Sequence, residues 1–154
     1  MSLAAVNLPK YATVLNGSVG VLGTGASTVG ATVIGIDGIA ADAKVVYTAG
    51  AYGGMVESLI ASINDTAAVN VLVYILDGST VHPLGIVNVP LSSGNSGTVP
   101  AVDLINGLAG LPINSVYKKY IPLKPNLVLK VAVLAAMTIN KILWVKSSGV
   151  DFIA

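Results

Sequence analysis

An antiparallel β-sandwich is the fold class this sequence predicts, on three observations. Valine, isoleucine, threonine and tyrosine gather in short runs, and each run is closed by glycine, asparagine, aspartate, serine or proline. Helical period is nearly absent, because the best stretch, residues 105–120, is interrupted by Gly107, Gly110 and Pro112 and stopped by Pro122. Strand-like runs joined by turns recur down the chain, which is the texture of packed sheets rather than of alternating strands and helices.

Taken in order, the first 43 residues stand apart. They are rich in glycine and poor in charge, so they have few side chains with which to build a core of their own. Two short strands, residues 13–15 and 31–36, are expected to pair into the sandwich, with residues 17–30 arching between them. The segment reads either as an arm that docks on a neighbouring subunit or as a loose surface hairpin. Residues 1–43 are therefore an N-terminal arm with pairing strands, and residues 44–154 the sandwich domain.

Within that domain, Leu59, Ala61 and Ile63 share one face of a strand, and Glu57 is expected to begin the same face. Asn64-Asp65-Thr66 turns the chain. Residues 69–76 are apolar on both faces apart from Asn70, as a central strand covered on each side should be. Asp77-Gly78 is a hairpin signal. His82 and Pro83 read as a loop, and Pro83 and Pro90 mark residues 84–91 as an edge or bulged strand. Residues 92–97 form a polar loop, 99–105 a short strand interrupted by Pro100, 127–134 a strand after the turn Lys124-Pro125-Asn126, and 139–146 a final strand carrying Trp144. Residues 150–153 are a possible edge addition.

Composition bounds the function. At 154 residues the chain has room for one domain of ordinary size. Hydrophobic residues make up 54% and charged residues 10%, against about 25% charged in an average soluble chain. Some apolar surface must be hidden by other means. A net charge of +1 lacks the basic excess of a nucleic-acid binder, and no apolar run is long enough to span a bilayer as a helix. Neither nucleic acid nor membrane is an expected partner, and assembly with other protein is. The N-terminus has no basic region or long apolar stretch, so synthesis in the cytoplasm is the expectation.

The search for chemistry finds no catalytic, cofactor-binding or metal-ligating residue to assign. There is no cysteine, which removes disulfides, thiolate nucleophiles and cysteine metal sites together. His82 has no orienting carboxylate and nucleophile beside it. The seven carboxylates fall singly, mostly at turns, where aspartate caps backbone N–H groups. The glycine-rich run from Gly17 to Gly25 lacks the lysine and following helix of a phosphate loop. Asn16-Gly17-Ser18 and Asn64-Asp65-Thr66 match a glycosylation sequon and read as turns. Lys118, Lys119 and Lys124, with Tyr117 and Tyr120 beside them, read as a solvated loop. The chain is not expected to be an enzyme.

The order of segments is more specific than any one of them. Lys44-Val45-Val46-Tyr47-Thr48-Ala49-Gly50 is followed by Gly53-Gly54-Met55-Val56-Glu57-Ser58-Leu59 and then Asn70-Val71-Leu72-Val73-Tyr74-Ile75-Leu76-Asp77-Gly78. Ile86-Val87-Asn88-Val89-Pro90 comes next, then Leu123-Lys124-Pro125-Asn126-Leu127-Val128-Leu129-Lys130-Val131, and the chain closes on Ser148-Gly149-Val150-Asp151-Phe152. This succession resembles the small capsid cement, or decoration, proteins of tailed bacteriophages. The resemblance implies a jelly-roll β-sandwich, assembled as a homotrimer on the outer surface of the head. It also implies the major capsid protein as partner, with stabilisation of the shell by bridging capsomers as the function. No catalytic residue or cofactor comes with it. The alternative from another class is a carbohydrate-binding sandwich of a viral fibre, with Trp144, Tyr52, Tyr74, Tyr117 and Tyr120 as stacking faces; Trp144, among apolar neighbours in mid-strand, reads as core.

Overall fold

Alternating β-branched residues produce a chain of antiparallel strands. In a computed structural model, which describes residues 10–22, 43–135, 137–138 and 140–153, they are β1 (Lys10–Leu22), β2 (Lys44–Thr48), β3 (Gly54–Ile63), β4 (Val69–Asp77) and β5 (Thr80–Val89). After a turn-rich stretch come β6 (Val102–Asp103), the one-turn helix α1 (Leu104–Gly107), β7 (Ile121–Leu123), β8 (Val128–Val133) and β9 (Ile142–Ile153). One sheet has the order β1-β9-β3, with β6 and β7 both on the free side of β3, and the other has the order β2-β8-β4-β5.

Strands β3, β4, β8 and β9 give alternate residues to a shared core. Val56, Leu59, Ala61 and Ile63 of β3 and Leu143 and Val145 of β9 meet Val71 and Val73 of β4 and Leu129, Val131 and Val133 of β8 in one buried cluster. Burying each such side chain contributes roughly 1.5–3 kcal/mol. Leu104, Ile105 and Leu108, around α1, join the same cluster. Asp77 pairs with Thr80 across Gly78 and Ser79, and Gly78 adopts φ +58°, which a residue without a Cβ enters freely.

The central position of β4 and the edge position of β5 agree with the sequence reading, as does a register shift opposite Val73 and Tyr74 where Pro83 and Gly85 lie. Several expectations are corrected. His82 lies within β5, paired with Ile75 and exposed, and not in a loop. Pro83 is accommodated because β5 is an edge strand, where a missing N–H leaves no ladder bond broken on the free side. A register shift between Val56 and Ser58 turns Glu57 outward and gives its core position to Val56. Residues 99–105 hold only the two-residue β6 before Asp103 caps α1.

Residues 150–153 are no edge addition. They continue β9, which runs unbroken between β1 and β3. The strand expected at residues 13–15 extends through Leu22, pairing residue by residue with β9, so residues 17–22 and the sequon at Asn16 lie in a strand and not in an arch or turn. Residues 1–9 and 23–42, including the strand expected at 31–36, lie outside the described residues. Trp144 is also corrected. Leu143 and Val145 take the core positions, so alternation sends Trp144 to the opposite face, where it is 39% exposed.

Candidate interaction surface

Among the described residues, Tyr117 and Val116 are the most exposed large apolar side chains, and with Ile113 they sit on one small hairpin between α1 and β7. Asn114 builds it. Its Oδ1 accepts from the backbone N–H of Val116 at 3.1 Å and of Lys118 at 2.9 Å, and its own N–H donates to the Lys118 carbonyl at 2.9 Å. The Tyr117 N–H returns to the Asn114 carbonyl at 3.0 Å, and Ile113 bridges Lys119. Such side-chain mimicry of a turn is what asparagine does well. Tyr117 takes φ +60°, a left-handed conformation that is costly for a residue with a Cβ and persists where the surroundings fix it.

Lysine ties the hairpin to the core. The Lys119 ammonium donates to the carbonyl oxygens of Asn106 at 3.0 Å and Leu108 at 2.6 Å, satisfying acceptors left free at the end of α1. At the other end of that helix the Asp103 carboxylate accepts from the Ile105 N–H at 3.0 Å and from the Asn106 amide at 2.9 Å. Leu104 and Ile105 are buried beneath. The result is a knob seated on the core that presents Ile113, Val116 and Tyr117, the last 90% exposed.

Beside the knob lies a polar depression of about 330 Å³, lined by Glu57, Ser58, Asp103, Asn106, Lys118 and Lys119. Two of its members are occupied structurally: Asp103 caps α1 and Lys119 holds its last carbonyls. His82 lies on β5, away from these residues in the chain's pairing. Among the described residues no three histidine, aspartate or glutamate side chains gather as metal ligands, and no helix is long and apolar enough to cross a membrane. No family model, curated protein or solved structure matches the chain.

Sequence reasoning singled out Lys118, Lys119, Tyr117 and Tyr120 but read them as one solvated loop. The structure divides them: Lys119 and Tyr120 are half-buried, while Tyr117 and Lys118 are exposed. The signal for the knob was Asn114-Ser115 between Ile113 and Val116, a turn former between two apolar residues. Tyr74, counted among possible stacking faces, is buried, whereas Tyr52, Tyr117 and Trp144 are exposed.

Proposed function

We propose that the chain is a structural virion protein of a tailed bacteriophage that binds the outer surface of the capsid as a homotrimer. There it stabilises the shell by bridging molecules of the major capsid protein, without catalysis. The observation that carries this reading is the preformed apolar knob. A monomer in water gains nothing by holding Ile113, Val116 and Tyr117 outward on a hydrogen-bonded hairpin, and a protein surface that buries them gains roughly 1.5–3 kcal/mol for each.

The fold proposed with it is a jelly roll. Its support is the order of the described strands: with β6 and β7 counted as one broken strand, the first described strand pairs with the last and the second with the next to last, as in a double Greek key. Scarcity of charge supports assembly, since little on the surface would repel a second copy.

The test uses purified heads of the phage that encodes the chain. Val116→Asp and Tyr117→Asp should each leave β-rich circular dichroism unchanged and abolish attachment to heads, with trimers still seen by light scattering. Full attachment by both variants would remove the knob from the interface, and a 15.5 kDa monomer at micromolar concentration would remove the trimer.

One observation favours a second reading, carbohydrate binding on a viral fibre. Trp144 faces outward with Gly20 opposite on β1 and Ser62 opposite on β3, so its ring has small neighbours on both sides. Sugar rings stack on such platforms. Quenching of Trp144 fluorescence by a panel of bacterial surface glycans, lost in Trp144→Ala, would favour this reading over the first.

A further inference from the structure

The polar depression beside the knob is lined by hydrogen-bonding groups of both kinds, and the backbone sets them there. The bulge between Val56 and Ser58 breaks the alternation of β3, so that Glu57 and Ser58, consecutive in the chain, both turn away from the core between buried Val56 and Leu59. A carboxylate and a hydroxyl therefore stand side by side on one face. Regular pleating would have sent one of them inward.

The rest of the lining is Asp103, Asn106, Lys118 and Lys119. Asp103 Oδ2 accepts from the Asn106 amide at 2.9 Å, and Lys119 donates to the carbonyl oxygens of Asn106 and Leu108. These bonds hold three side chains in place and leave each with capacity to spare: Asn106 keeps its amide oxygen and one N–H, Lys119 one N–H, and the Asp103 carboxylate further lone pairs. Among the described residues, the Glu57 carboxylate, the Ser58 hydroxyl and the Lys118 ammonium have no hydrogen-bond or ion-pair partner. Opposite charges line one hollow without closing on each other.

We propose that this depression is a binding site for a neutral sugar, one or two rings at the end of a glycan. Three properties select that class. Two carboxylates and two ammonium groups offset one another, so an anion meets Glu57 and Asp103, a cation meets Lys118 and Lys119, and an uncharged ligand meets no repulsion. All six lining side chains are polar, which turns away an apolar ligand, whereas sugar hydroxyls supply the donors that Glu57 lacks and the acceptors that Lys118 lacks. The volume of about 330 Å³ lies at the small end of ligand sites, roughly 300–1,000 Å³, and so suits a terminal ring or two. Because Asp103, Asn106 and Lys119 are already held by their own bonds, little side-chain freedom is lost on binding.

The site stands on its own residues and needs neither attachment to a shell nor stacking on Trp144. Ser62, opposite Trp144, lies four residues along β3 from Ser58, on the order of 13 Å, so the two places can be tested apart. The full chain is titrated with the methyl glycosides of glucose, galactose and mannose and with N-acetylglucosamine, and with sialic acid and glucosamine as charged comparators, by saturation-transfer NMR. At least one neutral sugar should bind. Glu57→Gln and Lys118→Ala, both at exposed positions, should preserve circular dichroism and each weaken that binding about tenfold, the loss of a hydrogen bond to a charged group. Trp144→Ala should leave it unchanged. Binding of no neutral sugar, or binding undiminished in both Glu57→Gln and Lys118→Ala, would overturn the proposal, and tighter binding of a charged comparator would overturn the ligand class.

Discussion

Asp65, buried, and Thr138, exposed, 73 positions apart, meet in one knot: the Asp65 carboxylate accepts the Thr138 backbone N–H at 2.9 Å and the Thr138 hydroxyl at 2.6 Å. The same carboxylate accepts the N–H groups of Thr66 at 2.6 Å and Ala67 at 3.4 Å. It thereby fastens the β3–β4 turn to the segment between β8 and β9. Burial alone would raise the pKa of this side chain, but the hydrogen bonds from Thr138, Thr66 and Ala67 outweigh it and hold the carboxyl below its ordinary range.

Asp65→Ala should therefore lower stability by roughly 2–4 kcal/mol, since several donors lose a charged acceptor at once. A carboxyl whose folded pKa is depressed contributes stability above its unfolded value, near 3.9, and loses it as pH falls through the folded value. Denaturant titrations of the wild type and Asp65→Asn should converge as pH drops below about 4. A gap that stays constant down to acid pH would show that the Asp65 charge contributes nothing.

A second fastening lies at the other end of the molecule. The Tyr47 hydroxyl donates to Asp151 Oδ1 at 2.7 Å, and the Gly50 N–H donates to the same oxygen at 3.1 Å, joining β2 and its following turn to β9. Burial first, then the hydrogen bond and negative charge of Asp151, push the Tyr47 phenol well above its ordinary value. A raised pKa contributes stability that is complete below the unfolded value, near 10, and is lost as pH rises through the folded one. Tyr47→Phe should cost about 1–2 kcal/mol at neutral pH and flatten the loss of stability in alkali. Equal alkaline sensitivity in both proteins would contradict the assignment.

Gly149 is required by contact and not by torsion. A Cβ there would strike the Met55 carbonyl oxygen and the Tyr47 ring, at 3.0 Å from the latter. Because β9 is central, neither neighbour can withdraw cheaply. Gly149→Ala should destabilise by roughly 1–3 kcal/mol, read as a lowered midpoint of thermal unfolding, whereas Gly97→Ser, in an open turn with nothing within 4 Å of a Cβ, should cost less despite its φ of +74°.

What was legible in the sequence was what local pattern controls. The alternation of Leu59, Ala61 and Ile63, the double-sided apolarity of β4 and the Asp77-Gly78 hairpin follow from period and turn chemistry, and the structure has them. What was not legible depends on register between distant segments. Nothing in the run Ile142-Leu143-Trp144-Val145 says which alternate set faces inward, so Trp144 was misassigned until Ala61 and Ile63 on β3 fixed the partners of Val145 and Leu143. Asp65 was readable as a turn former, but Thr138, its principal partner, was not. The bulge at Glu57 lies in a strand whose period is otherwise regular, and one inserted residue exchanged Glu57 for Val56 in the core. For the knob, the sequence reading placed no turn at Asn114, and the anchoring of Lys119 on α1 required the folded chain.

We propose that this protein stabilises a shell through apolar contacts. Thermal opening of phage heads, with and without the protein, measured at low and at high salt, tests it most directly. Burial of Ile113, Val116 and Tyr117 depends little on ionic strength, whereas contacts made by Lys118 would be screened over about 8–10 Å. Many weak sites occupied together raise the opening temperature by binding the intact shell in preference to the opened one. Decorated heads should open at a higher temperature than bare ones by the same margin at both salt concentrations; equal opening temperatures for decorated and bare heads would overturn the proposed role.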